Sequence, residues 1–262
     1  MLRSINIAGT GMLAQQLQVE VISNNIANLN TTGFKRSRAE FQDLLYQNAR
    51  RVGTPSSDAG TTVPSGSQVG LGVRTAAVYR MHEQGNLLPT QNPFDMAISG
   101  NGFFQIDLPN GEIAYTRAGS FQLNQDGTLV TADGFTVRPG ITVPPNAQSV
   151  TINPNGQVSV KIAGQVAPNT VGQLQLSTFI NETGLQAIGN NLFLETTASG
   201  QPQDGVPGIE NRGTVLQGFL ETANVNVVSE ITALISAQRA YEMNSRVIET
   251  SDQMSSVLSQ MK

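Results

Sequence analysis

The side chains that could do chemistry in this chain are few, and they form no catalytic pattern. His82 is the only histidine among the 262 residues, and cysteine is absent. The chain therefore has no thiolate nucleophile, and one histidine without cysteine is a poor zinc site. His82 lies in the run Tyr79-Arg80-Met81-His82-Glu83, which is typical of a strand or the end of one, and no G-x-S-x-G nucleophile elbow occurs. We therefore expect no catalytic residue and no enzyme.

The nearest approach to a metal loop is Gln122-Leu123-Asn124-Gln125-Asp126-Gly127, followed by Asp133. The glycine and the third and fifth ligand positions fit a calcium loop. However, Gln122 stands at the first position, and Asp133 replaces the bidentate glutamate that normally ends such a loop. A hairpin turn at Asp126-Gly127 explains the same residues more simply. We expect neither a metal ligand nor a cofactor.

Charge gives no case for nucleic acid as a partner. The net charge is −4, whereas a nucleic-acid site needs a basic surface. The one basic cluster is Lys35-Arg36-Ser37-Arg38 with Arg50-Arg51, and Glu40 and Asp43 are interspersed among these cations. Such a mixture is more typical of a paired or subunit-facing surface.

The composition points to assembly. Charged residues make up 13% of the chain, against about 25% in ordinary globular proteins. From Ser4 to Phe34 the only ionisable side chain is Glu20, and the polar positions are filled by amides and hydroxyls. A solvated helix normally carries Lys and Glu on its wet face. We therefore expect the N-terminal helix to be packed on nearly all sides by protein.

Both ends of the chain are predicted to be long helices. The first should end at Gly33 as the C′ residue of a Schellman cap, with Phe34 folding back on Leu29. The second should follow an N-cap at Asn224 or Asn226. Apolar residues in both recur at coiled-coil spacing and predict an assembly interface: Ile5, Met12, Val19, Ile22, Ile26, Leu29, Val227, Ile231, Leu234, Tyr241 and Ile248.

The ends also bear on export and membranes. Polar residues interrupt the apolar run of the first helix, so it is not expected to be a Sec-type signal peptide. No run approaches the roughly 18 apolar residues that span a bilayer. The sequence alone therefore predicts a soluble, unprocessed chain.

The middle of the chain is predicted to be all-β. Turn signals separate short alternating runs over about 84–189: Asn110-Gly111, Asp126-Gly127, Asp133-Gly134 and Asn155-Gly156. The expected fold class is α+β: the terminal helices form an α-helical coiled coil, and the rest is an all-β middle domain with extended connecting arms. We expect a helical domain of 1–34 plus 222–262, a connector of 35–83 plus 190–221, and a β domain of 84–189. By composition alone, Val52–Gly72 is as consistent with a flexible linker as with an ordered part of the connector.

Three groups of motifs resemble one protein family. Residues 22–28 and 30–35 (Asn30-Thr31-Thr32-Gly33-Phe34-Lys35) are similar to the N-terminal signature of bacterial flagellar rod and hook proteins. Residues 224–230 and 238–242 resemble the C-terminal signature, and 95–104 and 115–121 resemble the family's β domain. The terminal signatures contain Ser23, Asn24, Asn25, Asn28, Asn30, Gly33, Phe34, Asn224, Asn226, Arg239 and Tyr241.

The resemblance implies a structural role in the flagellar basal body. Length and residues 64–73 are most similar to the distal rod branch of the family. That branch implies a homo-oligomeric helical tube, with terminal helices inside and β domains outside, which transmits torque and encloses the export channel. Implied partners are proximal rod proteins, the hook protein, the peptidoglycan-layer and outer-membrane ring proteins, and the flagellar type III export apparatus. Residues 52–72 would lie as an arm on neighbouring subunits, and the rod would cross the periplasm.

Other interpretations remain open at this point. Within the family, the chain could be a proximal rod or hook-type axial subunit. Outside it, the main rival is an oligomeric carbohydrate-binding β module, and an enzyme acting on peptidoglycan is a weaker one. If the chain is an axial subunit, its terminal helices should be loose in the monomer, because one helix pair buries only part of each apolar face.

Overall fold

The structure is a computed structural model that describes residues 2–50, 66–164 and 167–260. Two α-helices lie at its ends, α1 over Leu2–Ala27 and α2 over Val227–Gln260. Neither is long and apolar enough to cross a membrane, and the same holds for the other described helical residues. The chain divides into two compact units. We call 2–26, 37–50, 66–79 and 226–260 the helical unit, and 27–36, 80–164 and 167–225 the β unit.

Four strands follow α1 and pair two by two. They are β1 (Ser37–Asp43), β2 (Tyr46–Arg50), β3 (Ser67–Gly70) and β4 (Val73–Arg80). β1 pairs with β4, and β2 pairs with β3 in an antiparallel register that sets Tyr46 opposite Gly70. The described part of the expected arm is thus a β-ribbon; most of its predicted length, 52–65, lies outside the described residues.

The β unit contains the remaining strands. In chain order these are β5 (Leu87–Pro89), β6 (Met96–Ser99), β7 (Phe103–Asp107), β8 (Ile113–Thr116), β9 (Gln122–Leu123), β10 (Leu129–Val130), β11 (Thr136–Val137), β12 (Ala147–Ile152), β13 (Gln157–Ile162), β14 (Asn169–Gln173), β15 (Leu176–Thr178), β16 (Gln186–Gly189), β17 (Leu192–Leu194), β18 (Gln203–Gly205), β19 (Thr214–Gln217) and β20 (Phe219–Glu221). A short 3₁₀ helix, Glu182–Gly184, precedes β16.

Nine of these strands form one large sheet. Its main path runs β16-β17-β8-β7-β11-β10-β9, and β15 joins β7 while β18 joins β15. β12, β13 and β14 form a separate antiparallel sheet, β19 pairs with β6, and β20 pairs with β5. The α+β class expected from the sequence is therefore confirmed.

The core of the β unit lies on both faces of β7. Alternate residues of a strand point to opposite faces, and Phe104 and Ile106 enter a large aliphatic cluster that also contains Met96. On the other face, Phe103 packs with Tyr115, Phe179 and Phe193 in an aromatic cluster. Because both faces are covered, β7 is buried through four of its five residues.

All four predicted turn signals are hairpin turns. They connect β7 to β8, β9 to β10, β10 to β11, and β12 to β13, and each of these pairs is antiparallel. In every turn the glycine has a positive φ and its N–H donates to the carbonyl three residues earlier, at 2.7–3.0 Å. Glycine adopts a positive φ at little energetic cost. A glycine after Asn or Asp is therefore a reliable sequence signal for these turns.

The first helix ends earlier than predicted. α1 stops at Ala27 rather than continuing to Gly33. The Thr31 N–H donates to the Asn28 carbonyl at 3.1 Å, so the chain leaves the helical path within the asparagine-rich motif. Gly33 does have the expected positive φ of 67°, but its N–H donates to the Glu221 carbonyl, so it does not act as a helix cap. A Cβ there would lie 2.6 Å from the Ala118 nitrogen.

The expected connector is also different in the structure. Residues 190–221 supply β17, β18, β19 and β20, which pair with strands of the β unit. Their runs are only three or four residues long, too short to show a clear period in the sequence. The compact units accordingly divide the chain at 26/27, 36/37, 79/80 and 225/226.

Candidate functional site

A buried ion cluster joins three distant segments of the β unit. The Glu221 carboxylate accepts hydrogen bonds from Lys35 Nζ at 2.6 Å and from Arg117 Nε at 2.9 Å. The backbone N–H of Gly85 donates to the same carboxylate at 2.9 Å. The three charged side chains are 0–4% exposed. Lys35 ends the N-terminal motif, Arg117 lies in a β-domain motif, and Glu221 ends β20.

Backbone carbonyls complete the cluster. Arg117 Nη1 donates to the carbonyls of Gly100 and Gly102 at 2.8 and 2.7 Å, and Lys35 Nζ donates to the Glu83 carbonyl at 2.7 Å. Burying charges in this way is tolerable only when each is paired and hydrogen-bonded. Because Lys35 and Arg117 donate to acceptors of the protein itself, we interpret the cluster as structural. We call such a set of bonds between distant segments a clasp.

The pKa shifts follow from burial and pairing. Burial lowers the pKa of Lys35, while the Glu221 carboxylate opposes that shift. Burial also acts to raise the pKa of Glu221, but Arg117 and Lys35 outweigh it and hold that pKa below its usual value. Glu221 is therefore a carboxylate at neutral pH, held by its neighbouring cations.

Asn224 is a second clasp within the β unit. Its Oδ1 accepts from the Arg36 N–H at 2.8 Å. Its Nδ2 donates to the carbonyls of Met81 and Glu83 at 2.9 and 3.0 Å. One amide thus satisfies backbone groups on two chain segments, and only an amide offers both the acceptor and the paired donors in this geometry.

Asn25 plays the same part within the helical unit. Its Oδ1 accepts from the Ser37 N–H at 2.8 Å, and its Nδ2 donates to the Ser37 carbonyl at 2.9 Å. The same Nδ2 donates to Glu230 Oε2 at 3.3 Å. Asn25 and Glu230 are both buried. This residue therefore fastens α1 to the start of β1 and to the first turn of α2.

The start of α2 was predicted to be capped at Asn224 or Asn226, and it is Asn226 that caps it. Asn226 Oδ1 accepts from the Ser229 N–H at 3.1 Å, the bond of an N-cap side chain. Glu230 lies in the first turn, where the helix dipole favours a carboxylate.

The predicted interface residues differ widely in burial. Ile22 is 1% exposed. The other predicted α1 residues and Leu29 are half-buried: Ile5, Met12, Val19, Ile26 and Leu29. On α2, Leu234 and Ile248 are half-buried, whereas Val227, Ile231 and Tyr241 are 37–44% exposed. Their role in contacts between subunits stays a prediction.

The motif residues also divide into two groups. Gly33 and Phe34 are buried and Asn28 is half-buried, alongside the clasp residues Asn25 and Asn224. Others present exposed side chains: Ser23, Asn24, Asn30, Asn226, Arg239 and Tyr241. The sequence reasoning missed Lys35, Arg117 and Glu221 as a unit, although charge is rare in this chain and two of them stand inside the quoted motifs.

Packing and turn formation account for the residues weighed for chemistry. His82 packs against Phe103 and Phe193, with ring centroids 5.6 and 5.5 Å apart. Asn124 Oδ1 accepts from the N–H groups of Asp126 and Thr128, so the calcium-like segment is a hairpin turn. Within 2–50, 66–164 and 167–260, no group of three or more His, Asp or Glu side chains could hold a metal ion.

Three family descriptions match the chain in the order of its segments. "Flagella basal body rod protein" matches residues 5–35. "Flagellar hook protein FlgE/F/G D1 domain" matches 97–160, and "Flagellar basal body rod FlgEFG protein C-terminal" matches 216–261. Asn25, Arg117, Glu221 and Asn224 all lie within these matched segments.

Whole-length relatives carry the same description. The chain is 58% identical to the flagellar basal-body rod protein FlgG of Caulobacter vibrioides over all of both chains. It is 48% identical to FlgG of Borreliella burgdorferi, over all of this chain and 99% of that one. Its identity to FlgG of Bacillus subtilis is 39% over all of both chains.

Proposed function

The chain belongs to the flagellar basal-body rod protein family, and from that premise we propose how this structural subunit of the distal rod works. Copies of the chain polymerise into a stiff helical tube that transmits torque from the motor to the hook. The terminal helices line the tube and its export channel, and the β units form its outer wall. The subunit acts by packing, and no step of its work calls for a catalytic group.

The observation that carries this proposal is the apolar surface of α2. The helix displays large apolar side chains around much of its circumference, all at least 37% exposed: Val227, Val228, Ile231, Ile235, Tyr241, Met243, Val247, Met254 and Val257. A helix that is apolar beyond one stripe is normally enclosed by protein. Neighbouring copies would enclose it and would remove this surface from water, which is the largest favourable term in association.

The proposal extends to partners and place. The rod assembles with other basal-body components, and we propose the proximal rod proteins and the hook protein at its ends. The peptidoglycan-layer and outer-membrane ring proteins would surround its outer wall where it crosses the periplasm. The subunit would reach that place through the flagellar type III export apparatus.

The test is polymerisation of a charge variant. Ile231→Asp places a carboxylate on the exposed apolar surface of α2, where a neighbour would bury it unpaired. We expect this variant to stay monomeric in analytical ultracentrifugation under conditions in which the wild type forms rods. Ser255→Asp is the matched control, because Ser255 is an exposed polar position of the same helix.

Two results would count against the proposal. One is polymerisation of Ile231→Asp at the wild-type critical concentration. The other is equal loss of polymerisation in both variants, which would mean that added charge alone prevents assembly. Circular dichroism of each variant checks that its β unit remains folded.

A further inference from the structure

Polar and small residues of α1 and α2 meet at several points along the two helices. The Ser4 and Ser251 hydroxyl oxygens lie 3.2 Å apart. Farther along, Gly11 faces Asn244, and a Cβ at Gly11 would lie 2.9 Å from Asn244 Nδ2. These are not the apolar residues that coiled-coil spacing predicts for a helix pair.

A third level of contact is the buried pair of Asn25 and Glu230, joined at 3.3 Å. From Ser4 through Gly11 to Asn25 the residue number on α1 rises in multiples of seven. On α2 the paired residue number falls by the same amounts, from Ser251 through Asn244 to Glu230. The helices are therefore antiparallel, and the polar pairs repeat with the heptad period of packed helices. Ala237 has the same heptad position on α2, between Glu230 and Asn244, and it is buried and small.

We propose that these polar pairs fix the register of the two helices, with Gly11 opposite Asn244 as the main determinant. Apolar helix faces tolerate a slip by one heptad, because one aliphatic pair replaces another. A slip here would set Asn244 against Ser4 or Gln18 in place of the glycine that leaves room for it. It would also separate Glu230 from the amide of Asn25, and losing one donor of a buried carboxylate is costly. A single polar pair is known to select register in this way.

Contacts between α1 and α2 of one subunit differ from the contacts that we propose between copies. The exposed apolar side chains of α2 lie outside these polar pairs and remain available to other copies. This consequence rests on the proposed function, whereas the register itself is a property of one chain. The two can therefore fail independently.

Disulfide trapping tests the register, and the absence of native cysteine makes the reporter clean. Ser4→Cys with Ser251→Cys reports the observed register. Ser4→Cys with Leu258→Cys reports a slip of one heptad, about 10 Å along the helix. In the full-length monomer under mild oxidation, we expect the first pair to form its intramolecular disulfide at least tenfold faster.

The outcomes separate the two claims. Equal rates, or a faster reaction at position 258, would overturn the register whether or not the protein polymerises. A tenfold excess at position 251 together with failure of the wild type to polymerise would support the register and count against the proposed function alone.

The role of Gly11 has its own matched control. A Cβ at Gly9 meets nothing within 4 Å, so Gly9→Leu should leave the disulfide rate of the Ser4→Cys/Ser251→Cys protein within twofold. Gly11→Leu should lower that rate at least fivefold, because the new side chain occupies the space of Asn244. Adding Asn244→Ala should restore the rate. Equal effects of the two leucines, or no restoration, would overturn the assignment of Gly11.

Discussion

At the scale of single residues, Glu221 balances the buried charge of the β unit. Its carboxylate is the common partner of Lys35, Arg117 and the Gly85 N–H, with no exposed surface of its own. A buried charge network is stabilising only while it is complete, because removing one partner leaves the others desolvated and unpaired. Lys35 and Glu221 come from opposite ends of the chain, so this balance also holds those ends together within the β unit.

Glu221→Gln should therefore be strongly destabilising. The variant keeps the shape of the side chain but leaves two buried cations facing a neutral amide, which typically costs about 3–5 kcal/mol. Urea unfolding of the monomer measures the change. Glu83→Gln is the control, since Glu83 Oε2 lies 3.9 Å from Arg36 Nη2 and the two side chains are 65% and 34% exposed, and such pairs contribute less than about 1 kcal/mol. Similar free energies of unfolding for both variants would contradict the role of the cluster.

His82 gives the β unit a dependence on pH. Burial, together with the nearby charges of Lys35, Arg80 and Arg117, lowers the pKa of His82 to about 4. The unfolded chain has the ordinary pKa of 6.5, so between pH 6.5 and 4 it binds more protons than the folded protein. Stability from the neutral imidazole is therefore complete above pH 6.5 and declines as the pH falls, by at most about 1.4 kcal/mol per pH unit.

The His82→Phe variant isolates this effect. Phenylalanine keeps the ring packed against Phe103 and Phe193 but cannot take up a proton. We expect the free energy of unfolding of the wild type to fall more steeply than that of the variant between pH 6.5 and 4, and equally above pH 7. Parallel curves over the acidic range would show that His82 is not held neutral.

At the scale of elements, the sequence predicted those features that depend on neighbouring residues. The Asn-Gly and Asp-Gly turns and the cap at Asn226 depend on residues within a few positions of one another, so the sequence is sufficient for them. The end of α1 is different, because the side chain of Asn25 binds Ser37 and Glu230, and Gly33 packs on Ala118. These tertiary contacts override a helical pattern that continues to Gly33.

The cap of α2 can be tested by itself. Asn226→Ala removes the acceptor of the Ser229 N–H and should destabilise the helix by about 1 kcal/mol. Asn226→Asp retains an acceptor and adds favourable charge at the helix N-terminus, so it should be neutral or slightly stabilising. Hydrogen exchange of the Ser229 amide gives the readout. Unchanged protection in the alanine variant would mean that the cap contributes little.

At the scale of the whole molecule, family motifs in the sequence indicated the role, and the structure gives a reason for some of their residues, among them Asn25, Arg117 and Asn224. Spacing alone could not predict that Lys35, Arg117 and Glu221 meet, because their pairing depends on strand order. Nor could it predict that Asn25 meets Glu230 or that Gly11 meets Asn244, because these pairs depend on how α1 and α2 are aligned.

The most direct test of the central claim is hydrogen exchange of α1 and α2 in monomer and polymer. If neighbouring copies enclose these helices, their amides should be much less protected than those of β7 in the monomer, as in a marginally stable helix pair, and should become strongly protected in the polymer. Amides of β7 serve as the internal reference, because that strand is already buried in one chain. Equal protection of α1 and α2 in both states would contradict the account, since the helices would then be complete without neighbours.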